Sequence, residues 1–168
     1  MKIIFIRHGE TNINTGKLTQ RGVRQIKSAL RYIKDEKIDA IYCSPRTRAL
    51  QTANILNSKF NAPLFILKEL NERQQLSSNN VSFKKDFDDN YLNYDYQSED
   101  FETCKDFIDR TTEGLKKIKQ TYTKDQTIII AAHSSTLYAI NTFVTGIPKS
   151  NKINWLQCSN GAVIKFHL

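Results

Sequence analysis

The stretch Lys2–Thr11 reads KIIFIRHGET. Its first part, Lys2–Ile6, is β-branched and aromatic, a composition that predicts a buried strand. The apolar run stops abruptly at Arg7, His8 and Gly9, where the strand would give way to a loop. A buried strand that ends in an arginine and a histidine would place two functional groups at the edge of a sheet.

The rest of the chain alternates short apolar runs with stretches of helical periodicity. Strands are predicted at Ala40–Cys43, Pro63–Leu67, Thr127–Ala132, Ile153–Leu156 and Ala162–Phe166. Helices are predicted after an N-cap at Thr19, after an N-cap at Ser44 with Pro45 in the first turn, across Phe101–Ile118, and from Ser134 or Ser135 to Gly146. This alternation favours an α/β fold, a three-layer α/β/α sandwich around a mostly parallel sheet of roughly six strands.

The length of 168 residues fits a single domain that spans positions 1–168. An apolar fraction of 39% and a charged fraction of 25% are ordinary for a globular protein and disfavour the disordered, collagen-like and coiled-coil classes. Segment 68–100 is polar and lacks clear periodicity, and a connection of that length within a compact domain is usually functional. We expect this segment to shape or cap the substrate pocket.

The chain is basic, with 25 Lys and Arg against 17 Asp and Glu and a net charge of +8. Such an excess suggests a polyanionic partner, but nucleic-acid binding is not expected, because the basic residues show neither aromatic interleaving nor a known binding module. No apolar run is long enough for a membrane span or a signal peptide. The 3 widely spaced cysteines indicate neither a disulfide framework nor a zinc site, so a cytoplasmic protein is expected.

Four ionisable groups follow the ends of different predicted strands, namely His8, Arg48, Glu72 and His133. Ligands of open α/β sheets bind beyond the carboxyl ends of the strands, so we expect these groups to converge although they are far apart in the sequence. Two imidazoles, a guanidinium and a carboxyl suit phosphoryl transfer, which depends on charge stabilisation and a positioned acid.

These residues also resemble a known family. Arg7–Thr11, followed by Asn14, is similar to the signature of the histidine phosphatase superfamily, whose fold is phosphoglycerate-mutase-like. Three further stretches resemble its second-arginine motif, its general-acid segment and its second-histidine strand, and these are Ser44–Ala53, Leu70–Arg73 and Ile128–His133. The resemblance covers nearly the whole chain in the expected order and implies a short member of the phosphatase type.

The resemblance implies a role for each residue. His8 would attack phosphorus and form a phosphohistidine, and Glu72 would protonate the leaving alkoxide and then activate water. The phosphoryl oxygens would be bound by Arg7, Asn14, Arg48 and His133. The expected reaction is metal-independent hydrolysis of a phosphomonoester, with no cofactor and with a small phosphorylated metabolite as the substrate.

Three other functions stay open at this point. Phosphoglycerate-mutase-type phosphoryl transfer is disfavoured, because a mutase needs a substantial cap and this chain is short of insertions that would form one. A protein phosphohistidine phosphatase would suit a small protein with an open site. A catalytically silent phosphate-binding protein would explain the basic charge and the unusual residues Gln74–Ser78 and Ser134-Ser135, which follow Glu72 and His133.

Overall fold

The computed structural model describes residues 1–74, 76, 90–99, 101–154 and 156–168. Within these residues the strands are β1 (Lys2–Arg7), β2 (Ala40–Cys43), β3 (Leu64–Ile66), β4 (Thr127–Ala132) and β5 (Val163–His167). They form one sheet in the order β3-β2-β4-β1-β5. The strands β1 to β4 pair in parallel, whereas β5 runs antiparallel to β1. The carboxyl ends of β1, β2, β3 and β4 therefore lie at the same edge of the sheet.

The helices of the described residues are α1 (Gln20–Ala29), α2 (Thr47–Phe60), α3 (Cys104–Thr121) and α4 (Ser134–Thr145). Short 3₁₀ turns occur at Leu30–Tyr32 and Lys68–Leu70. The pair α1 and α2 covers one face of the sheet, and the pair α3 and α4 covers the other. This arrangement confirms the predicted α/β fold with three layers. None of these helices is long and apolar enough to cross a membrane.

The central strands of the sheet are buried on both faces, which explains why they are apolar. Ile3 and Phe5 of β1 pack toward α3 and α4, whereas Ile4 and Ile6 pack toward α1 and α2. These side chains are all fully buried. Burying each of them contributes about 1.5–3 kcal/mol to folding, so packing on both faces holds β1 in place beneath the residues that follow it.

The prediction of roughly six strands is slightly too high, since the described residues form a sheet of five. The prediction of a strand at Ile153–Leu156 is wrong, because its described residues belong to no strand. The Ile153 N–H donates instead to Leu92 O at 2.8 Å. Ile153 is buried with Phe107 and Tyr138 in a core cluster separate from the two that cover the sheet, so its apolar character serves that cluster.

Helix starts were harder to predict than strands. Thr19 caps α1 as predicted, because its hydroxyl accepts a hydrogen bond from Gly22 N–H at 3.0 Å. The prediction of a cap at Ser44 is wrong, because Arg46 is the N-cap of α2. The prediction that a serine after His133 caps α4 is also wrong, because His133 is itself the N-cap. The helix α4 therefore begins at a residue of the candidate site, and Arg48 lies in the first turn of α2.

Most of the predicted pocket segment 68–100 lies outside the described residues. Its described parts are residues 68–74, residue 76 and residues 90–99. Residues 68–74 carry the chain from β3 past Glu72, and residues 90–99 lead to the segment before α3.

Candidate active site

His8 follows β1 directly and is held at the carboxyl end of the sheet by its own backbone. Its N–H donates to Ala132 O at 3.0 Å, which extends the pairing of β1 with β4. Only 6% of the residue is exposed. Its Nδ1 lies 2.8 Å from Gly9 O, and because a carbonyl oxygen can only accept, Nδ1 carries the proton. The lone pair of the ring is therefore on Nε2.

A close contact between two backbone segments fixes the loop that carries His8. A Cβ atom added at Gly9 would lie 2.4 Å from Gly22 O, and one added at Gly22 would lie 2.1 Å from Glu10 O. Only glycine leaves room for this approach of the loop to the first turn of α1. From the segment before β5, the Asn160 side chain donates to His8 O at 3.1 Å. The loop is thus held by contacts from two parts of the chain.

Arg48 connects the candidate nucleophile with the candidate acid. It lies in the first turn of α2 and donates from Nε to His8 Nε2 at 3.1 Å. Its Nη2 forms an ion pair with Glu72 Oε2. The side chains of Arg48 and Glu72 are 20% and 32% exposed, so this ion pair lies closer to solvent than the buried His8. A cation near a helix N-terminus is unfavourable by itself, and the Glu72 carboxylate compensates for it.

His133 follows β4 and begins α4. It is fully buried, and its ring lies edge-on to that of His8 with the centroids 5.3 Å apart. Its Nδ1 lies 3.6 Å from Glu72 Oε2, whereas its Nε2 lies 2.8 Å from Ser44 Oγ. The structure therefore brings His8, Arg48, Glu72 and His133 together, with Nδ1 of His133 on the side of the carboxylate.

Arg7 is the last residue of β1, and its Nη1 donates to Cys158 O at 2.5 Å. Its Nε is buried and has no hydrogen-bond partner within the described residues, and the same holds for His133 Nδ1. Buried polar atoms without partners are rare, because each loses its hydration without replacement. An anion that contacted both nitrogens would satisfy them.

Asn14 is not joined to this group. It lies on an exposed turn, where its backbone N–H donates to Asn12 Oδ1 at 2.9 Å. Among the residues that the structure describes, no hydrogen bond connects the Asn14 side chain with His8, Arg48 or Glu72.

Burial and nearby cations keep both histidines uncharged. The pKa of His8 falls from 6.5 to about 4, mainly because of burial. The hydrogen bond with Gly9 acts in the opposite direction, and the charges of Arg48 and Arg7 add to the fall. The pKa of His133 falls from 6.5 to about 2, again mainly through burial and next through the charge of Arg48. At neutral pH His8 thus offers an unprotonated nitrogen to an electrophile.

The positive charge beside His8 comes from the two arginine side chains. Both Arg7 and Arg48 contribute to the low pKa of His8. No group of three or more His, Cys, Asp or Glu within the described ranges is arranged to hold a metal ion. A planar guanidinium presents parallel donors that match the oxygens of a phosphoryl group.

Glu72 is positioned by the residue that follows it. The guanidinium of Arg73 lies between the rings of Tyr91 and Phe101, 4.2 and 4.8 Å from their centroids. Its Nε donates to Glu102 O at 2.6 Å, and only 8% of the residue is exposed. Sequence reasoning missed this anchor, because an arginine in a polar segment without periodicity resembles an ordinary surface residue.

Nearly the whole chain matches a family model. The model describes the histidine phosphatase superfamily (branch 1) and matches residues 3–168. The chain belongs to the histidine phosphatase superfamily. This match confirms the resemblance seen in the sequence motifs, and the protein is a phosphatase of the histidine phosphatase type.

Individual relatives of this histidine phosphatase carry two kinds of name. An uncharacterized phosphatase, PhoE, of Bacillus subtilis (strain 168) is 31% identical over 157 residues, which cover 86% of this chain and 77% of that protein. A 2,3-bisphosphoglycerate-dependent phosphoglycerate mutase of Methanococcus vannielii is 26% identical over 212 residues, covering 99% of this chain and 90% of the mutase.

A solved structure supports the fold independently. The mycobacterial glucosyl-3-phosphoglycerate phosphatase has a TM-score of 0.80 with this histidine phosphatase at 17% sequence identity. The alignment covers 98% of this chain and 88% of the mycobacterial one. At this identity the likeness shows that the two proteins share a fold.

Proposed function

We propose that this histidine phosphatase hydrolyses a phosphomonoester through a phosphohistidine on His8, with Glu72 as the general acid and base. The observation that carries the proposal is the hydrogen bond of 2.8 Å between His8 Nδ1 and Gly9 O. Because Nδ1–H donates to Gly9 O, the lone pair lies on Nε2. That nitrogen contacts Arg48, and Arg48 in turn contacts Glu72. The proposed nucleophile, the cation and the proposed acid are thus connected by direct contacts at one end of the sheet.

The phosphoryl group would be bound by the groups that surround His8. Arg48 is paired with His8 and Glu72 in the free site, and it would exchange these partners for phosphoryl oxygens when substrate binds. The unpartnered Arg7 Nε and His133 Nδ1 would contact other oxygens. Charge-assisted hydrogen bonds of this kind stabilise the negative charge that spreads over the phosphoryl oxygens during transfer.

The first chemical step would form a bond between His8 Nε2 and phosphorus while the bond from phosphorus to the leaving oxygen breaks. Glu72 in its protonated form would give its proton to that oxygen, and an alcohol leaves. In the second step the Glu72 carboxylate would take a proton from water as the water oxygen attacks phosphorus. The phosphorus–nitrogen bond then breaks. Inorganic phosphate is released, and the neutral His8 ring is regenerated.

We propose a small phosphorylated metabolite as the substrate and one domain over residues 1–168 as the catalytic unit. A full-length relative is named as a mutase that depends on 2,3-bisphosphoglycerate, and PhoE is named as a phosphatase. Hydrolysis is favoured over mutase activity, because the chain is short of insertions that would enclose a phosphorylated intermediate. Asn14 stays a predicted phosphoryl ligand that rests on its place in the first motif, and Asn14→Ala tests it.

The decisive experiment combines turnover of an aryl phosphate with trapping of the phosphoenzyme. Wild-type protein incubated with labelled substrate and quenched in base should carry an acid-labile phosphoryl group, which His8→Ala should lack. His8→Ala should also lower kcat by at least about 1,000-fold. His167→Ala is the matched control, because His167 is exposed on β5, and it should keep both the label and the activity. Near-wild-type turnover by a folded His8→Ala protein would exclude the mechanism.

Product analysis separates hydrolysis from the mutase reaction. A phosphatase releases one inorganic phosphate for each substrate consumed, whereas a mutase returns an isomeric phosphate ester without net phosphate release. We expect release of inorganic phosphate, and we expect a chelator to leave the rate unchanged. Phosphate binding without turnover would instead identify the catalytically silent alternative.

A further inference from the structure

Ser44 is a fully buried hydroxyl at the carboxyl end of β2 that none of the roles above uses. Its backbone N–H donates to Ala131 O at 3.2 Å, so it continues the pairing of β2 with β4. Its Oγ lies 2.8 Å from His133 Nε2 and accepts a hydrogen bond from Arg46 N–H at 3.3 Å. Ser44 therefore connects the ends of two strands with the start of α2.

The hydrogen bonds of Ser44 restrict how its proton is used. A hydroxyl has one proton to donate and two lone pairs that accept. One lone pair is engaged by Arg46 N–H. Within the described residues the other hydrogen-bond contact of the hydroxyl is with His133 Nε2, which can accept when it holds the lone pair of the ring. If the hydroxyl donates there, Nε2 holds the lone pair of the ring and Nδ1 holds the proton.

The surroundings of Nδ1, the other ring nitrogen of His133, favour a lone pair from one side and a proton from the other. The first turn of α4 places the Thr136 N–H toward the His133 side chain in a capping-box arrangement, which would favour a lone pair on Nδ1. Yet Nδ1 has no hydrogen-bond partner within the described residues. It lies 3.6 Å from Glu72 Oε2 and faces the site. A phosphoryl oxygen can only accept, so Nδ1 is useful to the reaction only when it carries the proton.

We propose that Ser44 is a positioning residue that holds His133 in the Nδ1–H form by donating its hydroxyl proton to Nε2. This inference rests on the proposed function, in which His133 donates to the phosphoryl group. The two histidines of the site then have opposite roles. Gly9 O makes His8 present a lone pair, and Ser44 makes His133 present a proton, although both rings are neutral.

The first test needs no substitution and no substrate. Protein labelled with ¹⁵N in its histidines is examined at neutral pH, and one-bond nitrogen–proton couplings show which ring nitrogen carries the proton. We expect a directly bound proton on Nδ1 of His133 and on Nδ1 of His8. A proton on Nε2 of His133 in the wild-type protein would overturn the proposal, whatever the enzyme's activity.

The second test removes the donor. Ser44→Ala should give a mixture of His133 forms and lower kcat/KM by about 10- to 100-fold, the range expected when the partner that orients a functional imidazole is lost. Ser44→Thr keeps the hydroxyl and should restore the Nδ1–H form and most of the rate. Thr52→Val is the matched control, because it removes a buried hydroxyl that has no hydrogen-bond partner within the described residues, and it should leave both readouts unchanged.

The outcomes separate this proposal from the proposed function. Ser44→Ala with wild-type kcat/KM and an unchanged His133 spectrum would overturn the role of Ser44 while leaving the phosphohistidine mechanism intact. Absence of a phosphoenzyme in the wild-type protein would overturn the mechanism, whereas the proton position on His133 is measured independently. If Ser44→Ala fails to fold, the wild-type spectrum and Ser44→Thr still decide the question.

Discussion

Arg48 donates a hydrogen bond from Nε to His8 Nε2 over 3.1 Å, so the guanidinium covers the lone pair that would attack phosphorus. The same side chain is paired with Glu72 through Nη2. One cation therefore holds both the His8 ring and the Glu72 carboxylate. Under the proposed mechanism, a phosphoryl group that bound Arg48 would release both at once, so substrate binding and chemistry would depend on the same arginine.

Arg48→Lys should lower kcat/KM by about 100-fold or more, because an ammonium keeps the charge but loses the fork that reaches two partners. The measurement is steady-state hydrolysis of an aryl phosphate. Arg24→Lys is the control, since Arg24 is exposed on α1, and it should leave kcat/KM unchanged. A rate for Arg48→Lys within a few-fold of wild type would show that charge alone is sufficient.

Glu72→Gln should affect substrates according to their leaving group. The amide cannot donate a carboxylic proton, so an alkyl phosphate should lose about 100-fold or more in kcat, whereas a nitrophenyl phosphate, whose leaving group needs little protonation, should lose much less in the phosphorylation step. Rates of phosphoenzyme formation measured under single-turnover conditions isolate that step.

Glu113→Gln is the matched control for this series, because Glu113 is exposed on α3. It should change neither substrate's rate. An equal and small loss for both substrates in Glu72→Gln would contradict the assignment of Glu72 as the acid. In that case a leaving group that needs no acid, such as a protein phosphohistidine, becomes the better candidate.

His8 should stay unprotonated well below the ordinary range of histidine, because its pKa is lowered from 6.5 to about 4. A lowered pKa means that the ring remains neutral as the pH falls through 6.5 and becomes charged only near the lower value. Between pH 6.5 and about pH 4 the unfolded chain binds this proton more readily than the folded protein does. The free energy of unfolding should therefore decrease as the pH falls through this range.

Ring-proton NMR shifts of His8, assigned by comparison with His8→Ala, measure this titration in the free protein. We expect the midpoint near 4, in line with the burial of the ring. A midpoint close to 6.5 would show that the ring is hydrated in solution and that its lone pair competes with protons at neutral pH.

Gly22→Ala should destabilise the protein although alanine favours helices. Alanine gains about 1 kcal/mol over glycine in a helix, but a Cβ at this position would lie 2.1 Å from Glu10 O. Overpacking costs about 1–3 kcal/mol, and a contact of 2.1 Å with a backbone oxygen belongs at the upper end of that range, so after the helix gain the free energy of unfolding should fall by about 2 kcal/mol. Displacement of the loop should also move His8 and lower kcat.

Denaturant unfolding of Gly22→Ala and of Lys27→Ala, an exposed position on the same helix, gives the comparison. The control should stay within about 0.5 kcal/mol of wild type. If Gly22→Ala is as stable as the wild-type protein, the contact between the loop and α1 does not require glycine.

The sequence predicted those features that depend on local patterns. The central strands could be found because β1 and β4 are buried on both faces and therefore apolar without interruption. The convergence of His8, Arg48, Glu72 and His133 followed from the expected parallel sheet, since parallel strands bring their carboxyl ends to one edge. A rule of fold geometry was thus sufficient to bring together residues that are far apart in the chain.

Features that depend on tertiary partners could not be predicted. From the sequence alone, Ser44 is predicted to be a helix cap. Its contact with His133, 2.8 Å away, depends on a distant part of the chain and leaves no local pattern. Ile153 resembles a strand residue, yet it is buried against helices outside the sheet. The stacking of Arg73 could not be predicted either, although Arg73 lies in the motif Leu70–Arg73, because its aromatic neighbours come from a later segment of the chain.

The pairing of β1 with β4 joins Lys2–Arg7 to Thr127–Ala132, two strands far apart in the sequence, and this has a consequence for folding kinetics. Contacts between distant parts of a chain form slowly, because a long loop must close before any pairing compensates for the lost entropy. His8 follows the first of these strands and His133 follows the second, so the two rings become neighbours only when this closure is complete. Recovery of phosphatase activity during refolding would therefore report that β1 and β4 have paired, and a ribosome-bound chain that still lacks β4 would be inactive.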